Sequence, residues 1–171
     1  MSNNIKNKKN YKEVEELFSF HYEEIEGEKF YRYIFPNNQD EGEMPADYSK
    51  PNAIYLYKDP IDEGTERKLR RRIMLNDTWE EDYREFVENN PMTLCSGLAY
   101  RGRVNRLEYA QQMNALVFDL DSVGKNELIN LFSRIGKKPG LRTLPQPTFI
   151  VMSGTGLHIY YVLEEPIDLF P

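Results

Sequence analysis

The chain has 171 residues, 40% hydrophobic and 13% aromatic, so it can bury one good core and is too apolar to be disordered throughout. Its single cysteine, Cys95, excludes an internal disulfide framework and a multi-cysteine zinc site. No stretch approaches the roughly 20 apolar residues that cross a bilayer, and the N-terminal residues lack the apolar core of a signal peptide. We therefore expect a cytoplasmic protein with no membrane partner.

The net charge of −6 is unevenly distributed along the chain. Residues 91–142 carry 8 basic and 4 acidic side chains, and a second basic run, from Arg67 to Arg72, lies upstream. Local positive patches can bind phosphate backbones even on an acidic protein. A solvated helix face would explain the run from Arg67 to Arg72 equally well, so that run alone does not identify a partner.

The first third of the chain predicts one helix and one strand. Residues 1–10 are polar, and we expect a disordered arm there, whereas apolar residues recur at helical spacing over residues 11–24. The aromatic and β-branched content of residues 29–35 favours a strand. Residues 37–52 are rich in Asn, Asp, Gly and Pro and predict a loop.

The middle of the chain predicts two further strands and a helix. Residues 53–57 and 92–100 have strand composition, and the latter stretch leads into a turn at residues 101–103. Thr78 and Glu81 have the spacing of a capping box, which predicts a helix that begins there and ends near residue 90.

The last third predicts a strand, a crossover helix and a hairpin, after a short helix at residues 105–112. We expect a buried strand at 115–121, a helix at 125–135, and a strand at 148–152 that pairs with an antiparallel strand at 157–163. A strand, a helix and a strand in that order imply a right-handed parallel crossover. The expected class is therefore α+β, with a mixed β-sheet and covering helices.

Two carboxylates follow the apolar run that forms the strand at 115–121. Asp119 and Asp121 are two residues apart, so on a strand they project from the same face and repel each other unless a cation lies between them. Carboxylate oxygens suit Mg²⁺ or Mn²⁺. A strand that simply ends in two surface aspartates is the alternative, with Asp121 capping the following turn.

A glycine-rich turn and a histidine follow the strand at 148–152. Ser153 and Gly154 begin a Ser-Gly-Thr-Gly sequence whose backbone N–H groups could approach an anion closely. His158 comes next, at the start of a strand, where it could donate a hydrogen bond to a phosphate or transfer a proton. An ordinary half-buried histidine is the alternative for His158 taken alone.

The sequences VFDLD at 117–121 and SGTGLHIYY at 153–161 resemble the first two motifs of the archaeo-eukaryotic primase superfamily. The resemblance is to the primases and primase-polymerases of plasmids, phages and other mobile elements, and it runs from about Phe30 to the end of the chain. It implies an RRM-like catalytic core in residues 29–171, preceded by an arm and helix in residues 1–28.

This resemblance also implies an activity, a cofactor and partners. The activity is template-directed nucleotidyl transfer at a two-metal site with Mg²⁺ or Mn²⁺, on a single-stranded DNA template with nucleoside triphosphates; a replicative helicase is a further candidate partner. Asp119 and Asp121 match the metal ligands, and His158 matches the residue that contacts the incoming nucleotide's phosphates. Ser153 and Gly154 would line the same phosphate pocket.

The cations Arg101 and Arg103, in a turn beside a flexible glycine, are additional candidates for nucleotide or template contacts. The family's third motif, an acidic residue on a later strand, has no clear counterpart. Glu164, Glu165 and Asp168 are expected on or just beyond the same strand as His158. We therefore expect the chain to be the N-terminal portion of a longer protein, with an incomplete catalytic core, and we expect polymerase activity of the full-length protein rather than of this portion alone.

Two other functions fit parts of the sequence. FDLDSV at 118–123 also resembles the first motif of haloacid-dehalogenase-like phosphatases, with Asp119 as the nucleophile and Asp121 as the general acid, but no Lys or Arg follows Arg142 to supply that family's downstream lysine. A non-catalytic nucleic-acid-binding module is the second alternative. Salt-sensitive DNA binding that does not depend on a metal would favour it.

Overall fold

A computed structural model of the chain describes residues 2–36, 51–58, 69–74, 81, 83–88, 93–136, 143–153 and 156–169. These ranges contain three α-helices: α1 (Ser2–His21), α2 (Gly27–Ile34) and α3 (Lys125–Arg134). They also contain six strands: β1 (Pro51–Lys58), β2 (Leu69–Ile73), β3 (Thr93–Arg101), β4 (Ala110–Leu120), β5 (Phe149–Met152) and β6 (Leu157–Asp168). The predicted α+β class is confirmed.

The six strands form one sheet in the order β2-β1-β3-β4-β6-β5, with antiparallel neighbours. The prediction of a mixed sheet is wrong. Helix α3 connects β4 and β5, which are both antiparallel to β6 and so run parallel to each other, as the predicted crossover requires, but β6 lies between them. The two strands that α3 connects are therefore not hydrogen-bonded to each other.

The chain divides into two compact units, both built from separated segments. The first unit consists of Met1–Ile25 and Val117–Tyr161. In its core Val14 of α1, Leu128 of α3 and Leu157 of β6 are buried together, and Leu120, Ile150 and Met152 are among the strand residues that pack around them. Because apolar side chains of both helices face the strands, α1 and α3 cover one face of the sheet within this unit.

The second unit consists of Glu26–Leu116 and Val162–Pro171. Buried side chains of β1, β3 and the start of β4, namely Ile54, Tyr100 and Ala110, form one of its core clusters. Asn114 of β4 donates from Nδ2 to the carbonyl oxygen of Ile34 at 3.1 Å, which satisfies a carbonyl at the end of α2. This bond fixes α2 to the sheet within the second unit.

Three expectations about secondary structure need correction. Residues 29–35 form most of α2 rather than a strand, because Phe30, Tyr31 and Ile34 have helical spacing and are buried on one face. Helix α1 begins at Ser2, over residues for which we expected a disordered arm. In place of a short helix at 105–112, a single 3₁₀ turn at Leu107–Tyr109 leads directly into β4.

The other expected elements are confirmed where the structure describes them. These are the helices expected at 11–24 and 125–135, which end at His21 and Arg134, the strand expected at 115–121, which ends at Leu120, the strands at 53–57, 92–100, 148–152 and 157–163, and the turn at 101–103. The helix expected from Thr78 lies partly outside the described residues, and its described part contains a π-helical turn at Tyr83–Glu88. The loop expected at 37–52 lies outside them except for residues 51 and 52, which belong to β1.

The described part of the basic run, residues 69–72, belongs to strand β2, so the solvated-helix interpretation is wrong for these residues. None of the helices in the described ranges has both the length and the apolar composition needed to span a membrane.

Candidate functional site

Asp119 and His158 lie side by side in the first unit. Asp119 is the last residue but one of β4, His158 is the second residue of β6, and these strands are neighbours in the sheet. The Oδ1 atom of Asp119 lies 3.4 Å from Nε2 of His158, with 66% of the Asp119 side chain and 22% of the His158 side chain exposed. The structure thus brings together a solvent-accessible carboxylate and a partly sheltered imidazole.

The hairpin of β5 and β6 holds His158 in this position. Val151 pairs with His158 in the antiparallel register, and the Ser153 N–H donates to the Gly156 carbonyl oxygen at 3.1 Å across the turn. Gly156 is buried against the backbone of Leu120, where an added Cβ would overlap the Leu120 carbonyl oxygen. Only a glycine lets the turn approach the end of β4 this closely.

Of the predicted phosphate-pocket residues, the structure describes one and leaves the other outside its described ranges. Ser153 is exposed and follows β5 directly. Gly154 lies outside the described residues. The turn therefore places Ser153 beside the close contact between Gly156 and Leu120.

Asp121 is the first residue after β4 and is exposed. The next residue, Ser122, has a positive φ of 56°, which is uncommon for a residue other than glycine and turns the chain away from the strand direction. Because β4 ends at Leu120, the same-face argument from strand alternation applies to Asp119 and does not fix the direction of the Asp121 side chain.

The donor set at this site suits a hard divalent cation. No group of three or more His, Cys, Asp or Glu side chains suited to a metal ion occurs among the described residues. Mg²⁺ is usually held by one or two carboxylates and keeps several water molecules, so Asp119 and Asp121 match its requirements without a larger protein cage. Asp119 and Asp121 thus offer the type of ligand that Mg²⁺ or Mn²⁺ prefers.

The remaining acidic residues near the end of the chain are on β6 itself, as predicted. Glu164 and Glu165 are exposed strand residues. Asp168 accepts a hydrogen bond at its Oδ1 from Nε2 of Gln112 at 3.1 Å. The primase pattern expects its third acidic residue on a later strand. These carboxylates lie on the same strand as His158, and that of Asp168 is bonded to Gln112.

Arg101 and Arg103 belong to the second unit, whereas Asp119 and His158 belong to the first. Arg101 ends β3, Arg103 lies in the turn that follows, and both side chains are exposed. Gly102 between them has a positive φ of 66°, which a glycine adopts without strain.

An aromatic pair that the sequence analysis did not assign lies on the same two strands. The rings of Phe118 and Tyr161 meet edge to face with centroids 5.9 Å apart, and Phe118 remains 51% exposed. The Tyr161 hydroxyl donates to the Pro145 carbonyl oxygen at 3.2 Å. Burial raises the pKa of Tyr161, and the nearby phenol of Tyr22 raises it further. Because successive side chains of a strand point to opposite faces, the VFDLD sequence already predicts that Phe118 lies on the face opposite to Asp119.

Comparisons with known proteins identify no family for this chain. No protein-family model, no curated protein and no solved structure matches the chain.

Proposed function

We propose that the protein is a DNA primase or primase-polymerase of a mobile genetic element and transfers nucleotides in a template-directed reaction. The observation that carries this proposal is the 3.4 Å contact between Asp119 and His158 at the ends of neighbouring strands. The two motifs that resemble the primase superfamily are about 30 residues apart in sequence, and the described residues of both meet at this point.

In this proposal Asp119 and Asp121 hold Mg²⁺ or Mn²⁺. The exposed Asp119 carboxylate is accessible to a hydrated ion, and Asp121 follows at the end of the same strand. When bound, the metal would stabilise the charge on the attacking and leaving oxygens of a phosphoryl transfer. The carboxylates themselves position the ion and balance its charge.

His158 would contact the phosphates of the incoming nucleoside triphosphate. Its imidazole is largely sheltered by the sheet, while Nε2 is oriented toward the exposed carboxylate of Asp119. A neutral or protonated imidazole can donate a hydrogen bond to a phosphate oxygen. Ser153 and Gly154, in the turn before His158, would supply a hydroxyl and backbone N–H groups to the same anion.

The partners in this proposal are a single-stranded DNA template and nucleoside triphosphates, with a replicative helicase as a further candidate. Synthesis on a single-stranded template, with and without a primer, tests the activity directly. We expect product only with Mg²⁺ or Mn²⁺, and we expect Asp119→Ala combined with Asp121→Ala to abolish it. Glu165→Ala, which removes an exposed carboxylate of β6, should retain wild-type synthesis. Undiminished synthesis by the double variant would contradict the proposal.

Binding of a nucleoside triphosphate offers a second readout that does not depend on turnover. We expect titration calorimetry to show affinity in the presence of Mn²⁺, loss of that affinity in EDTA, and at least about a tenfold loss on His158→Ala, corresponding to about 1.4 kcal/mol. A triphosphate affinity that is the same with Mn²⁺ and with EDTA would count against the proposed site.

A non-catalytic nucleic-acid-binding module is the second candidate. The observation that favours it is the lack of a third metal-ligating side chain beside Asp119 among the described residues. It predicts salt-sensitive DNA binding that neither EDTA nor the double aspartate variant alters, together with no metal-dependent synthesis. The two candidates therefore differ in the synthesis assay.

A further inference from the structure

The second unit presents cations from two separate stretches on one surface. Arg71 of β2 donates from a guanidinium nitrogen to Oδ1 of Asn105 at 3.4 Å, which links this edge strand to the segment between β3 and β4. Arg106 directly follows Asn105 in sequence, Arg103 lies two residues before it, and all three arginines are exposed. We call this set of Arg71, Arg103 and Arg106 the arginine surface.

The arginine surface is concentrated positive charge on a chain whose net charge is −6. Glu108 is close and pairs with Arg106 at 3.7 Å, but these side chains are 66% and 73% exposed. An ion pair this exposed contributes little, so a phosphate can compete with Glu108 for the guanidinium. Arginine is also the cation best suited to bidentate contacts with phosphate oxygens.

Apolar side chains are exposed in the same segment. Leu107 is 78% exposed and Tyr109 is 39% exposed, directly after Arg106 in the 3₁₀ turn. An aromatic ring beside cations is the arrangement with which proteins bind single strands: the cations follow the backbone while bases stack on the ring. A paired duplex keeps its base faces stacked on one another and cannot use such a ring.

We propose that the arginine surface, together with Tyr109, binds single-stranded nucleic acid, with the guanidinium groups on phosphates and the tyrosine ring against a base. The proposal goes beyond the function of the Asp119 site, because it holds whether or not that site transfers nucleotides. Charge complementarity favours a polyanion, and the exposed ring favours unpaired bases over an acidic protein segment.

Fluorescence anisotropy with a short labelled DNA oligonucleotide tests this surface, and EDTA in every sample removes any contribution from a metal. Affinity should fall as salt rises, because cations bound to phosphates release counterions. We expect Arg103→Gln combined with Arg106→Gln to weaken binding and to reduce the slope of log K against log salt by about 1.4, since each contact to a single strand contributes about 0.7. A single-charge control is Lys29→Gln, which neutralises an exposed side chain of α2 and should leave the slope unchanged.

Substitutions at two further positions, Glu108 and Tyr109, distinguish specific binding at this surface from general electrostatic attraction. Glu108→Gln removes the anion beside Arg106 and should strengthen binding, an effect that a misfolded variant cannot imitate. Tyr109→Ala should weaken binding to the single strand by about fivefold or more, whereas Tyr109→Phe should retain it.

The proposal is wrong if the double arginine variant binds like Lys29→Gln, or if Glu108→Gln leaves the affinity unchanged. It is also wrong if the duplex of the same sequence binds as tightly as the single strand, or if polyglutamate displaces the oligonucleotide at equal charge concentration, because a surface for acidic proteins would then explain the result. Since metal is absent throughout, these outcomes do not depend on whether the synthesis assay succeeds.

Discussion

At the residue scale, glycines serve two different purposes in this chain. Gly102 and Gly136 have positive φ angles of 66° and 65°, so they permit turns that other residues adopt only with strain. Gly97 and Gly156 instead allow close approach of two backbones: a Cβ on Gly97 would overlap the Ala115 carbonyl oxygen, and one on Gly156 would overlap that of Leu120. The contact at Gly156 positions the turn that precedes His158.

Substitution of Gly156 by alanine should therefore destabilise the hairpin. The obstacle is backbone, which cannot move without disturbing β4, so we expect the free energy of unfolding to fall by about 1–3 kcal/mol. In the control variant Gly124→Ala, the added Cβ meets only the end of the flexible Glu127 side chain, and the cost of losing a glycine cap should be about 1 kcal/mol or less. Urea denaturation of both variants measures the difference. If both variants lost the same free energy of unfolding, the close contact between Gly156 and Leu120 would not be what requires a glycine at position 156.

The thiol of Cys95 should be unreactive in the folded protein. Burial raises its pKa, and the reactive species is the thiolate, so the thiolate fraction near neutral pH is smaller than for a free cysteine. We expect Ellman's reagent to react at least about tenfold more slowly with the native chain than with the chain in urea. The native rate should keep rising with pH beyond the ordinary cysteine pKa, where the rate of the unfolded chain levels off. A native rate equal to that of the unfolded chain would contradict the burial of this thiol.

The candidate site was only partly predictable from sequence at this scale. Residue type and strand alternation were enough to select Asp119 and His158, and the structure places these two side chains in contact. The close approach of Gly156 to Leu120 depends on which strand is the neighbour of β4, which local sequence does not encode. Strand alternation also gives no direction for the Asp121 side chain, because β4 ends at Leu120.

At the scale of secondary-structure elements, α2 shows how tertiary packing overrides local propensity. The aromatic residues of this stretch favour a strand in isolation. In the fold, Phe30, Tyr31 and Ile34 are buried on one side of a helix, and Glu28 pairs with Arg32 at 3.1 Å one turn away. The bond from Asn114 to the Ile34 carbonyl oxygen, 80 positions along the chain, could not be inferred from neighbouring residues.

The buried face of α2 can be tested by alanine substitutions at three positions, Ile34, Tyr33 and Tyr31. Ile34 is fully buried, so Ile34→Ala should lower the free energy of unfolding by about 2–5 kcal/mol through lost burial and a cavity. Tyr33 is 59% exposed, so Tyr33→Ala should change it by about 0.5 kcal/mol or less. Thermal or urea denaturation followed by circular dichroism distinguishes them. If residues 29–35 formed a strand instead, Tyr31 and Tyr33 would share a face and should respond alike to alanine substitution. A helix is supported if Tyr31→Ala lowers the free energy of unfolding by a large amount while Tyr33→Ala does not.

At the scale of the whole molecule, the two proposed activities belong to different units. Asp119, Asp121 and His158 are in the first unit, and the arginine surface is in the second. Arg103 is therefore in a different unit from the proposed nucleotide site, and whether it contacts nucleotide or template has to be tested by experiment. The sequence suggested Arg103 because it is a cation beside the flexible Gly102, and it contained no information about the unit to which Arg103 or His158 belongs.

A kinetic comparison of the variants can assign Arg103. If Arg103 contacts the template strand, Arg103→Gln should raise the KM for template several-fold in the synthesis assay and leave the KM for nucleotide unchanged, because only the template phosphates lose a partner. His158→Ala should show the opposite pattern, with the larger change in the KM for nucleotide. The double aspartate variant should bind the oligonucleotide in EDTA as tightly as the wild type, since it alters no residue of the arginine surface. A rise in the KM for nucleotide with Arg103→Gln would instead assign this arginine to the triphosphate, and the arginine surface would then be reduced to Arg71 and Arg106.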